Sequence, residues 1–202
     1  MRLTMLASVP KVFAAIARNR RCGRQIAPFH PATRGRYVVE AFTRGDLSAL
    51  NKLYGSLTGG AGLGFQTTAV LWLLGSRLCL VARDMERNEL TGMAIYYFNR
   101  RDRREGTIHE GYIGLHETAR NAGLGTFMRR HALENFARSG LYGVSSRISV
   151  SNLPSLKSNQ KLGFVPVETY FDPAMGDRRH YLICDLNLFR KPVFEQHESV
   201  SR

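Results

Sequence analysis

The residues best suited to chemistry in this chain stand in the run Leu115-His-Glu-Thr-Ala-Arg120-Asn-Ala-Gly123-Leu-Gly125-Thr126. A strand pattern ends near Leu115 and a helical pattern opens near Thr126, with a glycine-punctuated loop between them. Such a loop aims unpaired backbone N–H groups and the positive end of the helix at one point, which makes an anion site. At Gly123 and Gly125 no Cβ stands in the way of a phosphate oxygen. Arg120 adds a guanidinium able to take a phosphate oxygen bidentately. Alone, the pattern also fits an ordinary glycine-rich turn before a helix.

A second constellation follows one strand later. Asn152-Leu-Pro-Ser155 opens a helix, and Lys161-Leu-Gly163-Phe164 closes it as the next strand begins. Taken together, Arg120-x-x-Gly123-x-Gly125, Asn152-x-x-Ser155 and Leu162-Gly163-Phe164 resemble the GNAT superfamily of acetyl-CoA-dependent N-acetyltransferases. The resemblance covers roughly residues 36–190 and is strongest over 107–165. It implies an α/β fold with a mostly antiparallel mixed sheet, one splayed parallel pair of strands and flanking helices. It implies that Arg120, Asn121, Ala122, Gly123, Leu124, Gly125 and Thr126 hold the coenzyme A pyrophosphate, with Asn152 and Asn159 also on the coenzyme. The pantetheine arm would lie along Ile113 to Leu115, where a backbone N–H would polarise the thioester carbonyl.

Acyl transfer also needs a route for the amine proton. His109 and Glu110 are the candidate catalytic residues, and as neighbours on one strand they point to opposite faces. Position 109, eleven before Arg120, corresponds to a catalytic Glu in the histone-acetylating branch of the family. A histidine titrating near 6.5 is a reasonable base, and His109→Ala would then flatten the acid limb of the rate–pH profile. The plain alternative is that His109 is a strand residue and Glu110 a solvated one. His116 is expected to shape the turn. Many family members carry a Tyr acid seven residues after the equivalent of Asn152, where this chain has Asn159, which has no titratable proton to give. Water or Ser158 would then serve the departing thiolate; Tyr112 and Tyr170 are further hydroxyls that nothing in the sequence places.

The elements that must position these residues follow from periodicity. Strands are expected over 36–42, 77–82, 90–98, 107–115, 144–150, 164–170 and 180–188, and helices over 46–56, 66–74, 126–138 and 153–162. The order is β-α-α-β-β-β-α-β-α-β-β. Residues 99–106, with Arg100, Arg101, Arg103 and Arg104, read as a charged hairpin turn that is solvated. On helix 126–138, Arg129, Arg130, Glu134 and Arg138 are expected outward. The glycine-rich segment 57–64 corresponds to the family's acceptor-shaping region, with Tyr54, Phe65 and Trp72 as candidate pocket residues.

The chain has 202 residues and a formal net charge of +13, which favours anionic partners. Eight of its 29 basic residues fall in residues 1–36, before the first acid at Glu40. Three domains of behaviour are therefore expected: a basic N-terminal extension over 1–35, flexible; an acetyltransferase domain over 36–190; and a tail over 191–202. The Arg-rich, acid-free start fits a transit peptide or a plain tail. Three scattered cysteines suggest a reducing, cytoplasmic setting without disulfides or a metal site. Expected partners are acetyl-CoA and an amine acceptor, a small molecule or a protein amine, with no specific nucleic acid, no membrane span, and a homodimer left open. The alternative, suggested by Asn159, is a weak or inactive acyl-CoA-binding module of the same fold.

Overall fold

A computed structural model describes residues 9–190; the expected tail over 191–202 and the first eight residues lie outside it. The elements are α1 (Val9–Gly23), β1 (Ala32–Arg34), β2 (Tyr37–Ala41), α2 (Leu47–Leu57), α3 (Phe65–Leu78), β3 (Cys79–Asp84), β4 (Glu89–Tyr97), α4 (Arg100–Glu105), β5 (Thr107–Leu115), α5 (Leu124–Phe136), β6 (Gly143–Ser149), α6 (Leu153–Gln160), β7 (Phe164–Asp172) and β8 (Asp177–Asp185). One eight-stranded sheet takes the order β1-β2-β3-β4-β5-β6-β8-β7. β5 and β6 run parallel because α5 carries the chain back between them, and every other neighbouring pair is antiparallel. The sheet is therefore the mixed α/β sheet expected, with its parallel pair at the predicted strands. Among the described residues no helix is long and apolar enough to cross a membrane.

Strand alternation splits the core between the two faces. On one face Leu50 and Leu53 of α2 and Leu71 of α3 pack on Val81, Met93 and Ile95. On the other, Met128, Ala132, Leu133 and Phe136 of α5 pack with Ala94, Tyr96 and Ile108. The α5 stripe also contains Arg129, which is buried rather than outward as its charge suggested.

Residues 9–34 are built into this domain, which corrects the expectation of a separate extension. α1 turns Ala15, Asn19 and Gly23 inward, and at Gly23 a Cβ would meet Leu74 Cδ1 at 3.1 Å, so helices α1 and α3 approach closely. Ile26 and Phe29 are buried in the main core, Phe29 edge-on to Phe136, and β1 adds a strand. The arginines of α1 hide this in the sequence, because its packing stripe is made of small residues rather than large apolar ones.

Residues 100–105 form a helix, not a hairpin turn. Asn99 Oδ1 accepts from the Arg101 and Asp102 backbone N–H groups while the Asp102 carboxylate accepts from Asn99 N–H, a closed capping box. Gly106, at φ +68°, ends it.

Candidate functional site

β5 and β6 are paired from Thr107–Gly143 to Glu110–Ser146 and then part. The last two rungs are fastened on both faces. On one, Ser145 Oγ donates to Asp102 Oδ1 at 2.6 Å and sits 2.7 Å from His109 Nδ1. With its own proton spent on Asp102, Ser145 accepts from His109, which assigns the ring proton to Nδ1. On the other face Ser146 Oγ donates to Glu110 Oε1 at 3.4 Å.

The strand leaves its neighbour through a bulge. Ile95 of β4 pairs with Tyr112 and Tyr96 with Glu110, so Gly111 has no partner. Glycine is required there, because a Cβ would overlap the Tyr97 ring. Beyond the bulge β5 pairs with β4 alone, and its edge towards β6 is open to an extended ligand.

Two cavities meet at this bulge. The wedge between β5 and β6, about 350 Å³, is lined by Glu110, Ile113, Arg147, Asn152 and Ser155, with Met175 of the β7–β8 turn and Asp177 and Arg179 of β8 closing it. A second pocket of about 340 Å³ lies towards α2 and α3 and is lined by Asn19, Tyr54, Gln66, Thr67, Tyr97 and apolar neighbours. Gly111 and Tyr112 line both. Of the expected pocket aromatics only Tyr54 is there; Phe65 is 74% exposed, and Trp72, 51% exposed, lies under the Arg44 guanidinium.

The loop before α5 is shaped for an anion. Asn121 and Gly123 both take positive φ, +61° and +68°, and no side chain caps the first turn of the helix. Those N–H groups therefore remain available. Arg120 Nε donates to the Leu115 carbonyl at 3.3 Å, which ties the loop back to the end of β5. Arg34, from β1, donates to the Ala122 carbonyl at 3.1 Å, and a Cβ on Gly123 would come within 2.7 Å of its guanidinium. Two cations thus flank a backbone cradle that a side chain would fill, which suits a diphosphate. Arg34 was not singled out from sequence, lying 88 residues from its partner.

Between loop and wedge runs a buried polar chain. Arg129 Nε lies 3.0 Å from Glu110 Oε2, with both side chains nearly inaccessible. Its other nitrogens reach Ser158 Oγ at 2.9 Å and Ser155 Oγ at 3.3 Å, and Thr126 Oγ1 lies 3.0 Å from Ser158 Oγ. Burial alone would lower the Arg129 pKa, but the Glu110 carboxylate outweighs it and raises it. One ion pair therefore joins β5, α5 and the start of α6. Asn152 caps α6 by accepting from Ser155 N–H at 3.2 Å.

The candidate site residues separate accordingly. Ile113, Asn152 and Glu110 line the wedge; Leu115 ends the open strand; Arg120, Asn121, Ala122, Gly123, Gly125 and Thr126 form the loop and first turn. Leu124 is buried in the core beneath it. Asn159 is fully buried and donates to the Ser155 carbonyl at 2.9 Å, away from the wedge lining. His109 lines neither cavity. It is enclosed between Tyr97 and Tyr181, and burial pushes its pKa down to about 4. His116 caps the turn over Glu117–Ala119, as expected of it.

The sequence profile of the acetyltransferase (GNAT) family matches residues 59–164, just over half the chain, which takes in the loop and the pocket lining other than Asn19 and Tyr54. The chain belongs to the GNAT acetyltransferase family. No curated protein sequence matches it. Among solved structures, this GNAT protein is similar to the ribosomal-protein-S18-alanine N-acetyltransferase from Escherichia coli, with 14% identity, 78% of this chain and 99% of that one covered, and a TM-score of 0.60. The ribosomal-protein-S5-alanine acetyltransferase from Vibrio fischeri gives 14%, 80%, 100% and 0.62 in the same terms. Arabidopsis thaliana Naa50, in complex with the bisubstrate analogue CoA-Ac-MVNAL, gives 12%, 73%, 97% and 0.61. At these identities the likeness concerns the GNAT fold.

Proposed function

We propose that this GNAT protein transfers an acetyl group from acetyl-CoA to a primary amine by direct attack on the thioester. The observation that carries the reading is the meeting of wedge and tyrosine pocket at Gly111 and Tyr112. A thioester carbon laid along the wedge and an amine standing in the pocket converge where β5 leaves β6. Acetyl-CoA supplies the activated acyl group; the chain's own residues bind, orient and polarise. The cradle at Asn121–Gly125, flanked by Arg120 and Arg34, takes the diphosphate, and the open β5 edge takes the pantetheine amides. A free β5 N–H near the bulge donates to the thioester carbonyl as negative charge develops there. Two of the similar structures are named as alanine acetyltransferases, and a third holds coenzyme A joined to a peptide, which supports an amine acceptor. The three cysteines are unpaired, two of them buried, which suits the reducing cytoplasm.

Proton transfer is assigned to solvent. Among the described residues lining the tyrosine pocket there is no carboxylate and no imidazole. Burial raises the phenols of Tyr97 and Tyr112, so both stay protonated as hydrogen-bond donors. Glu110 is engaged by Arg129, and His109 lies behind Tyr97. Both catalytic candidates thus hold strands in place instead of moving protons. The amine arrives neutral, and the released thiolate takes its proton from water, which its intrinsic pKa near 8.5 permits.

The test is thiol release from acetyl-CoA against pH, with a primary amine and its tertiary analogue. We expect turnover with the primary amine alone and kcat/KM rising through the amine's own pKa, with the same acid limb in His109→Ala. An acid limb that disappears in His109→Ala would restore the imidazole as base.

A further inference from the structure

A groove outside the wedge and pocket runs between α1 and α4. Its walls carry Arg18 and Arg21 from α1 and Arg100, Arg103 and Arg104 from α4, and its floor is Ala14 and Ala17. We propose that this groove binds the phosphodiester backbone of single-stranded nucleic acid, without reading its sequence.

Helix α4 sorts its charges by face. Positions 100, 103 and 104 share one side of a helix, while 102 and 105 fall on the other. Asp102 is buried and accepts from Thr107, Ser145 and Tyr181, and Glu105 is taken by Arg101 and Tyr181. The acids of this helix are thus consumed inside the protein, and its remaining arginines face α1. On α1 the spacing 14, 17, 18 and 21 likewise makes one stripe, while Ala15, Asn19 and Gly23 face α3. Among the described residues none of the five groove arginines forms an ion pair, and no acid lines the groove. Five like charges held together cost self-repulsion that a polyanion relieves.

The shape of the groove points the same way. Alanines at the floor leave room between the arginine rows, so the cations line an open groove of about 960 Å³. A positively charged groove of this kind can track the backbone of a single strand, phosphate after phosphate. Guanidinium forks suit phosphate oxygens. Arg18 is held in register by donating to the Phe98 carbonyl at 2.7 Å. The groove offers no arrangement of amides or acids for reading base edges, so binding is to the backbone.

The experiment is fluorescence anisotropy of an oligouridylate of roughly 16 nucleotides with the full chain, in a salt series. We expect saturable binding that weakens linearly in log–log form with salt. Arg21→Glu/Arg103→Glu should weaken it about tenfold and flatten the salt slope, whereas Arg87→Glu/Arg138→Glu, removing the same charge elsewhere, should change it less than about twofold. Arg100→Gln/Arg104→Gln, two exposed residues, provides a milder second variant with the same direction of effect, and circular dichroism melting checks each fold. Absence of binding at low salt overturns the proposal, as does equal weakening by the control pair, which would reduce the effect to net charge. Capture by phosphatidylglycerol vesicles that depends on Arg21 and Arg103, without oligouridylate binding, would assign the groove to a membrane instead.

Discussion

The wedge and the tyrosine pocket share Gly111 and Tyr112 but are built from different materials. The wedge is a backbone device: an open strand edge, a bulge, and a loop of positive-φ residues in front of a helix. A buried ion pair and four hydroxyls, those of Thr126, Ser146, Ser155 and Ser158, hold it rigid. The pocket is a side-chain device, assembled from α1, α2, α3 and two strands, with tyrosines, amides and no formal charge. Backbone geometry suits a donor whose diphosphate and pantetheine never vary. A pocket made of side chains from separate elements can be changed residue by residue, which is what choosing among acceptors requires.

That contrast can be broken most severely at Arg129. Arg129→Met leaves the Glu110 carboxylate buried and alone, which should cost about 3–5 kcal/mol, seen as a large drop in the denaturant midpoint. Glu110→Gln combined with Arg129→Met should recover part of the loss. If Arg129→Met melts like the parent protein, the ion pair is not what holds the wedge.

Gly111→Ala is the next test, because it strikes the one place both cavities share. A Cβ there displaces Tyr97 and shifts the reacting groups, so kcat should fall on the order of 100-fold while acetyl-CoA still binds. A fall confined to acetyl-CoA affinity would place the bulge on the donor side alone. Gly123→Val should do the reverse: its Cβ strains a residue at φ +68° and pushes Arg34 aside. The expected outcome is a KM for acetyl-CoA about tenfold higher with the acceptor KM unchanged, a change worth some 1.4 kcal/mol. Equal effects on both constants would erase the distinction between the two regions.

A further effect, confined to low pH, concerns His109. Burial keeps its folded pKa near 4, against about 6.5 when exposed. Between those values the unfolded chain binds a proton that the folded chain refuses, so stability should fall as pH drops from 6.5 towards 4 and level off below. In His109→Gln the melting temperature should fall less steeply across that window. An unchanged slope would mean that His109 titrates normally in the folded protein.

What the sequence made legible was local. The loop from Arg120 to Gly125, the Asn152 cap and the Leu162-Gly163-Phe164 closure each lie within a few residues, and each has a chemistry that follows from spacing. The contributions it hid come from residues far apart in the chain. Arg34 reaches the loop only because β1 folds back beside it, and Asn19 reaches the pocket only because α1 packs on α3 through small residues. Two signals were readable. Asn99-x-x-Asp102 is a helix cap obscured by four arginines, and Arg129 sits directly beside Met128 on a core stripe, where a charge implies a buried partner. The splay gave itself away less, since Gly111 in a strand marks a bulge only once its neighbours are known.

The central claim is that donor and acceptor react across Gly111 without a covalent relay. Its most direct measurement is mass detection of products from acetyl-CoA and an amine panel, with free thiol counted in the same reaction. One acetylated amine is expected for each thiol released, on at least one uncharged or aromatic primary amine. Tight acetyl-CoA binding with no amine-dependent thiol release on any amine would contradict it and leave the fold as a binding module.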